Sequence, residues 1–87
     1  MTPLRIYIST HCPTCAFTFS LVNSVRQLRP HYPIEVINLD QPDVVRPAHV
    51  FGTPTYCLGR QIISLGNPSL ATLLATLDQN AAGAVPG

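Results

Sequence analysis

Two cysteines, Cys12 and Cys15, stand in the stretch "STHCPTCAF" with only Pro13 and Thr14 between them. Thiols so close in sequence can cycle between dithiol and disulfide, supply half of a metal site, or simply pack. A redox cycle needs two unequal thiols, one that attacks as a thiolate and one that resolves the mixed disulfide. Position supplies that inequality. With Pro13 as the first helical residue, Cys12 sits where unpaired amide N–H groups and the helix dipole favour negative charge. Cysteines in such settings have pKa values of roughly 3.5–7.5. Cys15 lies three residues on, is better shielded, and falls ~5–6 Å away between Cβ atoms on a helix. A small adjustment brings that pair into disulfide range. His11 adjoins the nucleophile and, when protonated, would favour its thiolate further; the plainer reading is an exposed loop residue.

The rival chemistries are visible in the same residues. Zinc needs about four ligands, usually as two close pairs. Cys57, His31 and His49 are further donors, yet no second C-x-x-C or H-x-x-x-H pair exists. Cys57 reads as a small core residue, the usual fate of a free cysteine. Two merely structural thiols would not call for a polar Pro-Thr spacer at a helix start.

The elements that position the pair follow from periodicity. Leu4–Ser9 ("LRIYIS") is short, rich in β-branched and aromatic residues, and follows Pro3, so it reads as a strand. From Pro13 the period becomes helical, with Phe17, Leu21, Val25 and Leu28 on one face and an end near Pro30. Phe17 and Phe19 read as core. Ile34–Leu39 ("IEVINL") is a second strand, and strand–helix–strand order implies a parallel pair. Between Asp40 and Phe51 a short helix is expected, limited by Pro42 and Pro47. Thr55–Leu58 and Gln61–Leu65 flank Gly59-Arg60, a type II′ hairpin signal. Asn67 as N-cap and Pro68 at the first helical position open a last helix, whose stripe is Leu70, Leu73, Leu74 and Leu77. Tyr56 is expected to pack in the sheet, the other reading being a half-exposed place beside the cysteines; Arg46 and Arg60 are expected in solvated loops.

This order resembles the thioredoxin superfamily, above all its small glutaredoxin-like proteins, over roughly Leu4 to Leu77. "CPTC" after a strand is similar to the "CPYC" of dithiol glutaredoxins. "FGTPTYCLGRQIISLGNP" is similar to the family's cis-proline, hairpin and closing helix. The resemblance implies an α/β, thioredoxin-like (glutaredoxin-like) fold, β-α-β-(α)-β-β-α, with a four-stranded mixed sheet and helices on both faces. It implies that Pro54 is a cis-proline opposite the cysteines, and that the backbone of Thr53 pairs with a bound peptide or glutathione. It implies catalysis by Cys12 and Cys15, with His11, Pro13, Thr14, Thr53, Pro54 and Gly66 contacting substrate and no bound metal. Some features differ from the family's usual pattern. Thr14 replaces the motif tyrosine, and "LGNPS" stands where glutaredoxins have "GG-x-D". Arg5 is the only basic candidate nearby, and Gly66 with the amides around Ser69 is the candidate carboxylate site.

Chain-wide properties bound the rest. Eighty-seven residues make one domain, expected over 1–78 with a flexible tail over 79–87. The 46% hydrophobic content is that of a folded chain. Five arginines and no lysine against four acids give +1, without a basic run, so no nucleic-acid partner is expected. No segment resembles a signal or a membrane span, and a cytoplasmic, monomeric protein is the expectation. In that compartment a close cysteine pair is catalytic or metal-binding more often than structural. The function expected is thiol–disulfide exchange on protein or glutathione disulfides, with no resident cofactor. Glutathione as co-substrate or a reductase would supply electrons. A metal or iron–sulfur carrier and a redox-silent binding module are the alternatives.

Overall fold

In the computed structural model, which describes residues 2–81, the first strand is the hub of the sheet. Strand β1 (Leu4–Ile8) leads through helix α1 (Cys15–Leu28) to β2 (Ile34–Asn38); β3 (Thr55–Leu58), β4 (Gln61–Leu65) and α2 (Leu70–Ala81) follow. The sheet order is β2-β1-β3-β4. β1 pairs parallel with β2, from Leu4 opposite Ile34 to Ile8 opposite Asn38. It pairs antiparallel with β3, from Leu4 opposite Leu58 to Tyr7 opposite Thr55. The β3–β4 hairpin turns at Gly59-Arg60, where only Gly59 has a positive φ (61°), as a type II′ turn requires and a type I′ turn does not.

Alternation along β1 sends Leu4, Ile6 and Ile8 to one face and Tyr7 to the other. Val22 and Val25 of α1 and Leu73 and Leu77 of α2 join the first set, with Tyr56, in one buried cluster. Both helices therefore cover the same face, which corrects the expectation of helices on both. The second face has a smaller cluster of Tyr7, Val50 and Cys57, flanked by Ile37, Leu39 and Ile62. Its cover is the irregular segment 40–51, where the expected short helix does not form. Isolated turns stand there instead, closed by Val44 N–H to Gln41 O (3.1 Å) and Val50 N–H to Pro47 O (3.0 Å). Pro42 and Pro47 lack the donors that a continuous helix would need.

Several boundaries also differ from expectation: β1 and β2 each end one residue earlier, at Ile8 and Asn38. Helix α1 starts at Cys15, not Pro13; Pro13 and Thr14 lie in a turn closed by Cys15 N–H to Cys12 O (3.1 Å). Its buried face is Cys15, Thr18, Val22 and Val25, while Phe17 and Phe19 are 67% and 50% exposed. The apolar stripe is thus rotated by about one residue's ~100°, because β1 and α2 select the side chains that reach them. Helix α2 starts at Leu70 and is capped by Ser69, whose Oγ accepts Thr72 N–H (3.2 Å) and whose carbonyl accepts Leu73 N–H (3.0 Å). Asn67 is not the cap. At its far end the helix runs to Ala81, and Asn80 Oδ1 lies 2.8 Å from Tyr32 Oη and 3.1 Å from Thr2 N. Residues 79–81 are thus part of the fold; the remainder of the expected tail, 82–87, lies outside the described residues. Arg29 and Asp78 tie the end of α1 to α2 through two bonds of 2.7 and 2.8 Å, which raise the arginine's pKa and lower the carboxyl's.

Candidate functional site

Cys12 and Cys15 are joined by a disulfide, with Cα atoms 5.3 Å apart. The two cysteines meet solvent unequally. Cys15 begins α1 on its buried face, is 4% exposed and belongs to the main core cluster. Cys12 lies outside the helix and is half-buried. Thr14 Oγ1 lies 3.8 Å from Cys12 Sγ. Thr14 is the N-terminal cap residue, without a side-chain cap bond, and the first turn of α1 contains no acid. Negative charge arriving at Cys12 therefore meets a helix start with no carboxylate competing for it.

The loop is bracketed from both sides by the segment before β3 and the segment after β4. Tyr7 faces Thr55 in the β1–β3 ladder, and continuing both chains past the ladder brings Ser9 beside Thr53. Their hydroxyl oxygens are 2.8 Å apart. The Thr53–Pro54 bond is cis, and Pro54 is buried. Gly66 N–H donates to Pro54 O (2.8 Å), and a φ of 84° lets the chain turn there as few other residues would. That bond commits the Gly66 amide to the fold, so it is not a free donor for a ligand carboxylate. Thr53, Pro54 and Gly66 line a hollow of ≈ 320 Å³ together with Phe51 and Leu65, which are 83% and 75% exposed.

On the other flank, Thr10 N–H donates to Asp40 Oδ2 (2.7 Å). This bond lowers the Asp40 pKa, and the charges of His11 and Arg46 add to the effect. His11, Pro13 and Thr14 are exposed around Cys12. Arg5 is not near this end. It lies at the start of β1, roughly 13 Å of strand from Ser9, and is paired with Glu35 at 3.2 Å.

Asn67 carries more of the site than the sequence indicated. Its Nδ2 donates to Thr14 O (2.8 Å), while Oδ1 accepts from Thr18 Oγ1 and Tyr56 Oη, both at 2.7 Å. Thr18 and Tyr56 are fully buried, and burial raises the Tyr56 pKa, which keeps the phenol protonated as a donor. "NPS" before an apolar run reads as a capping signal, and contacts across 49 and 53 residues leave no local pattern.

The remaining donors do not join the pair. Cys57 is fully buried in the other cluster, across the sheet from Cys15, and burial raises its pKa. His31 lies near Arg29 and Tyr32, beyond the end of α1. Among the described residues no three His, Cys, Asp or Glu side chains converge, and no helix is long and apolar enough to cross a membrane. No protein-family model matches the chain, and no curated protein matches it.

Proposed function

We propose that the chain is a thiol–disulfide oxidoreductase of thioredoxin-like architecture, working through the Cys12–Cys15 couple. The observation that carries this reading is the unequal exposure of two bonded cysteines, Cys12 half-buried and Cys15 4% exposed. Strand, cysteine pair and helix in that order, with a cis-proline segment hydrogen-bonded alongside, support it further.

In the reduced protein the Cys12 thiolate attacks one sulfur of a substrate disulfide. An S–S bond forms between Cys12 and that sulfur, and the other substrate sulfur leaves as a thiolate that takes a proton. Cys15 then loses its proton and attacks Cys12 Sγ. The mixed disulfide breaks, the second substrate thiol leaves, and the Cys12–Cys15 bond is restored. Two electrons have passed from the cysteine pair to the substrate. Two glutathione molecules, becoming glutathione disulfide, or a dithiol reductase would return them. The Thr14 hydroxyl and the start of α1 stabilise the Cys12 thiolate, and Cys15 is held where water and external disulfides do not reach it. The hollow at Thr53 and Pro54 would hold the substrate chain, with the Thr53 backbone pairing to it as an added strand. His11 and Pro13 would border the same approach.

Trapping tests the division of labour. Cys15→Ser incubated with a disulfide substrate should accumulate a mixed disulfide on Cys12, mapped by mass, and Cys12→Ser should accumulate none. Equal trapping on either cysteine would contradict the assigned roles.

A further inference from the structure

The peptide unit joining Thr14 to Cys15 is held at both of its polar atoms. Its N–H donates to Cys12 O (3.1 Å), and its carbonyl accepts from Phe17 N–H (3.1 Å) and from Asn67 Nδ2 (2.8 Å). The first two bonds belong to the local turn and helix start. Asn67 is the one distant group among these partners, and it is itself fixed. A carbonyl can only accept, so the amide nitrogen must face Thr14. The amide oxygen is then left for the hydroxyls of Thr18 and Tyr56, and it accepts from both. One side chain thus links the buried interior to the backbone between the two cysteines.

We propose that Asn67 is a positioning residue for the redox couple, holding the Thr14–Cys15 peptide so that Cys15 stays within attack distance of Cys12 after reduction. This rests on the oxidoreductase reading above. When the disulfide opens, the sulfurs separate, and the probability of their meeting again depends on how far the intervening backbone relaxes. A clamp on that backbone raises the effective concentration of one thiol at the other and so favours the disulfide. Without it, the dithiol gains conformational freedom and the couple becomes more oxidising. The reaction affected is dithiol plus glutathione disulfide going to protein disulfide plus two glutathione.

The test is a glutathione titration of wild type, Asn67→Asp and Asn67→Ala. Asn67→Asp keeps an acceptor for the two hydroxyls but presents an oxygen to the Thr14 carbonyl in place of the donor. Both variants should lower the equilibrium constant for disulfide formation about three- to tenfold, a midpoint roughly 15–30 mV more positive. Tyr56→Phe, which removes a bond on the interior side only, should change it less than twofold. A merely structural role would lower thermal stability in all three without separating their midpoints. Should the Asn67 variants not fold, the wild type still decides. The Asn67 side-chain amide protons should stay protected from solvent exchange in both the reduced and the oxidised states, and loss of that protection on reduction would overturn the proposal. A wild-type couple that titrates while folded Asn67→Asp shares its midpoint would overturn the positioning role alone. A wild type that forms no Cys12–Cys15 disulfide would overturn the function on which it rests.

Discussion

The two faces of the sheet are built from the same strands and stabilised differently. On one, α1 and α2 bury Leu4, Ile6 and Tyr56 beneath Val22, Val25, Leu73 and Leu77, and Cys15 is part of that cluster. On the other, Tyr7 and Cys57 are closed off by Val50 from a segment with only isolated turns. Each fully buried aliphatic side chain contributes about 1.5–3 kcal/mol, so the helical face supplies most of the driving force. The loop that carries the disulfide is rooted in that face, through Cys15 and through Asn67 to Thr18 and Tyr56. The thin face carries the free, buried thiol of Cys57. The molecule therefore places its bonded cysteine pair on its firmer side and its free cysteine under its lighter cover.

Truncation on the firm side is the severest way to test this contrast. Leu77→Ala should cost roughly 2–5 kcal/mol, a large part of the ~4–13 kcal/mol expected for a domain of this size. Its urea midpoint should fall more than that of the matching truncation on the thin face, Val50→Ala. Val50→Ala should cost less, about 1.5–2.5 kcal/mol. Its sharper signature is local: Cys57 alkylation under native conditions should speed up about tenfold, since ~1.4 kcal/mol of lost cover is a factor of ten. If labelling of Cys57 instead follows global unfolding in both proteins, the two faces open together and the contrast fails.

The smallest effect concerns Asp40, which holds Thr10 beside the disulfide loop. Its folded pKa is depressed below the ordinary value near 3.8 by the Thr10 N–H. The contribution is therefore present above that value and is lost as pH falls through the lower, folded one. Asp40→Asn should be less stable than wild type at neutral pH, and the difference should shrink below about pH 4. Asp78, depressed in the same direction by Arg29, leaves a residual acid limb in the variant. An unchanging difference down to pH 2 in an acid-unfolding series would remove Asp40 from that role.

The strands, the hairpin and the cysteine pairing were legible because each rests on a short-range signal. Gly59-Arg60 between two extended runs fixes its own turn, and two cysteines three positions apart are already within bonding reach. The face of α1 was not legible in the same way. Phe17 and Leu28 are apolar enough to suggest a stripe, yet the partners β1 and α2 take Thr18 and Val22. Thr18 is tolerated in that core because its hydroxyl has Asn67 to donate to. The cover of the second face was misread because apolar and proline residues mix over 40–51, and the prolines won. Asn67 was hidden for a related reason: one residue satisfies a local capping pattern while its actual partners lie on β3, α1 and the reactive loop.

The measurement that bears most directly on the central claim is a redox titration of the purified, metal-free protein in glutathione buffers. Thiols would be trapped by alkylation at each point and mapped by mass. The expected result is a Cys12–Cys15 disulfide that forms and reverses with a midpoint between roughly −120 and −270 mV, while Cys57 remains a thiol throughout. Failure of Cys12 and Cys15 to form a reversible disulfide anywhere in that range would contradict the claim that this pair is a working redox couple.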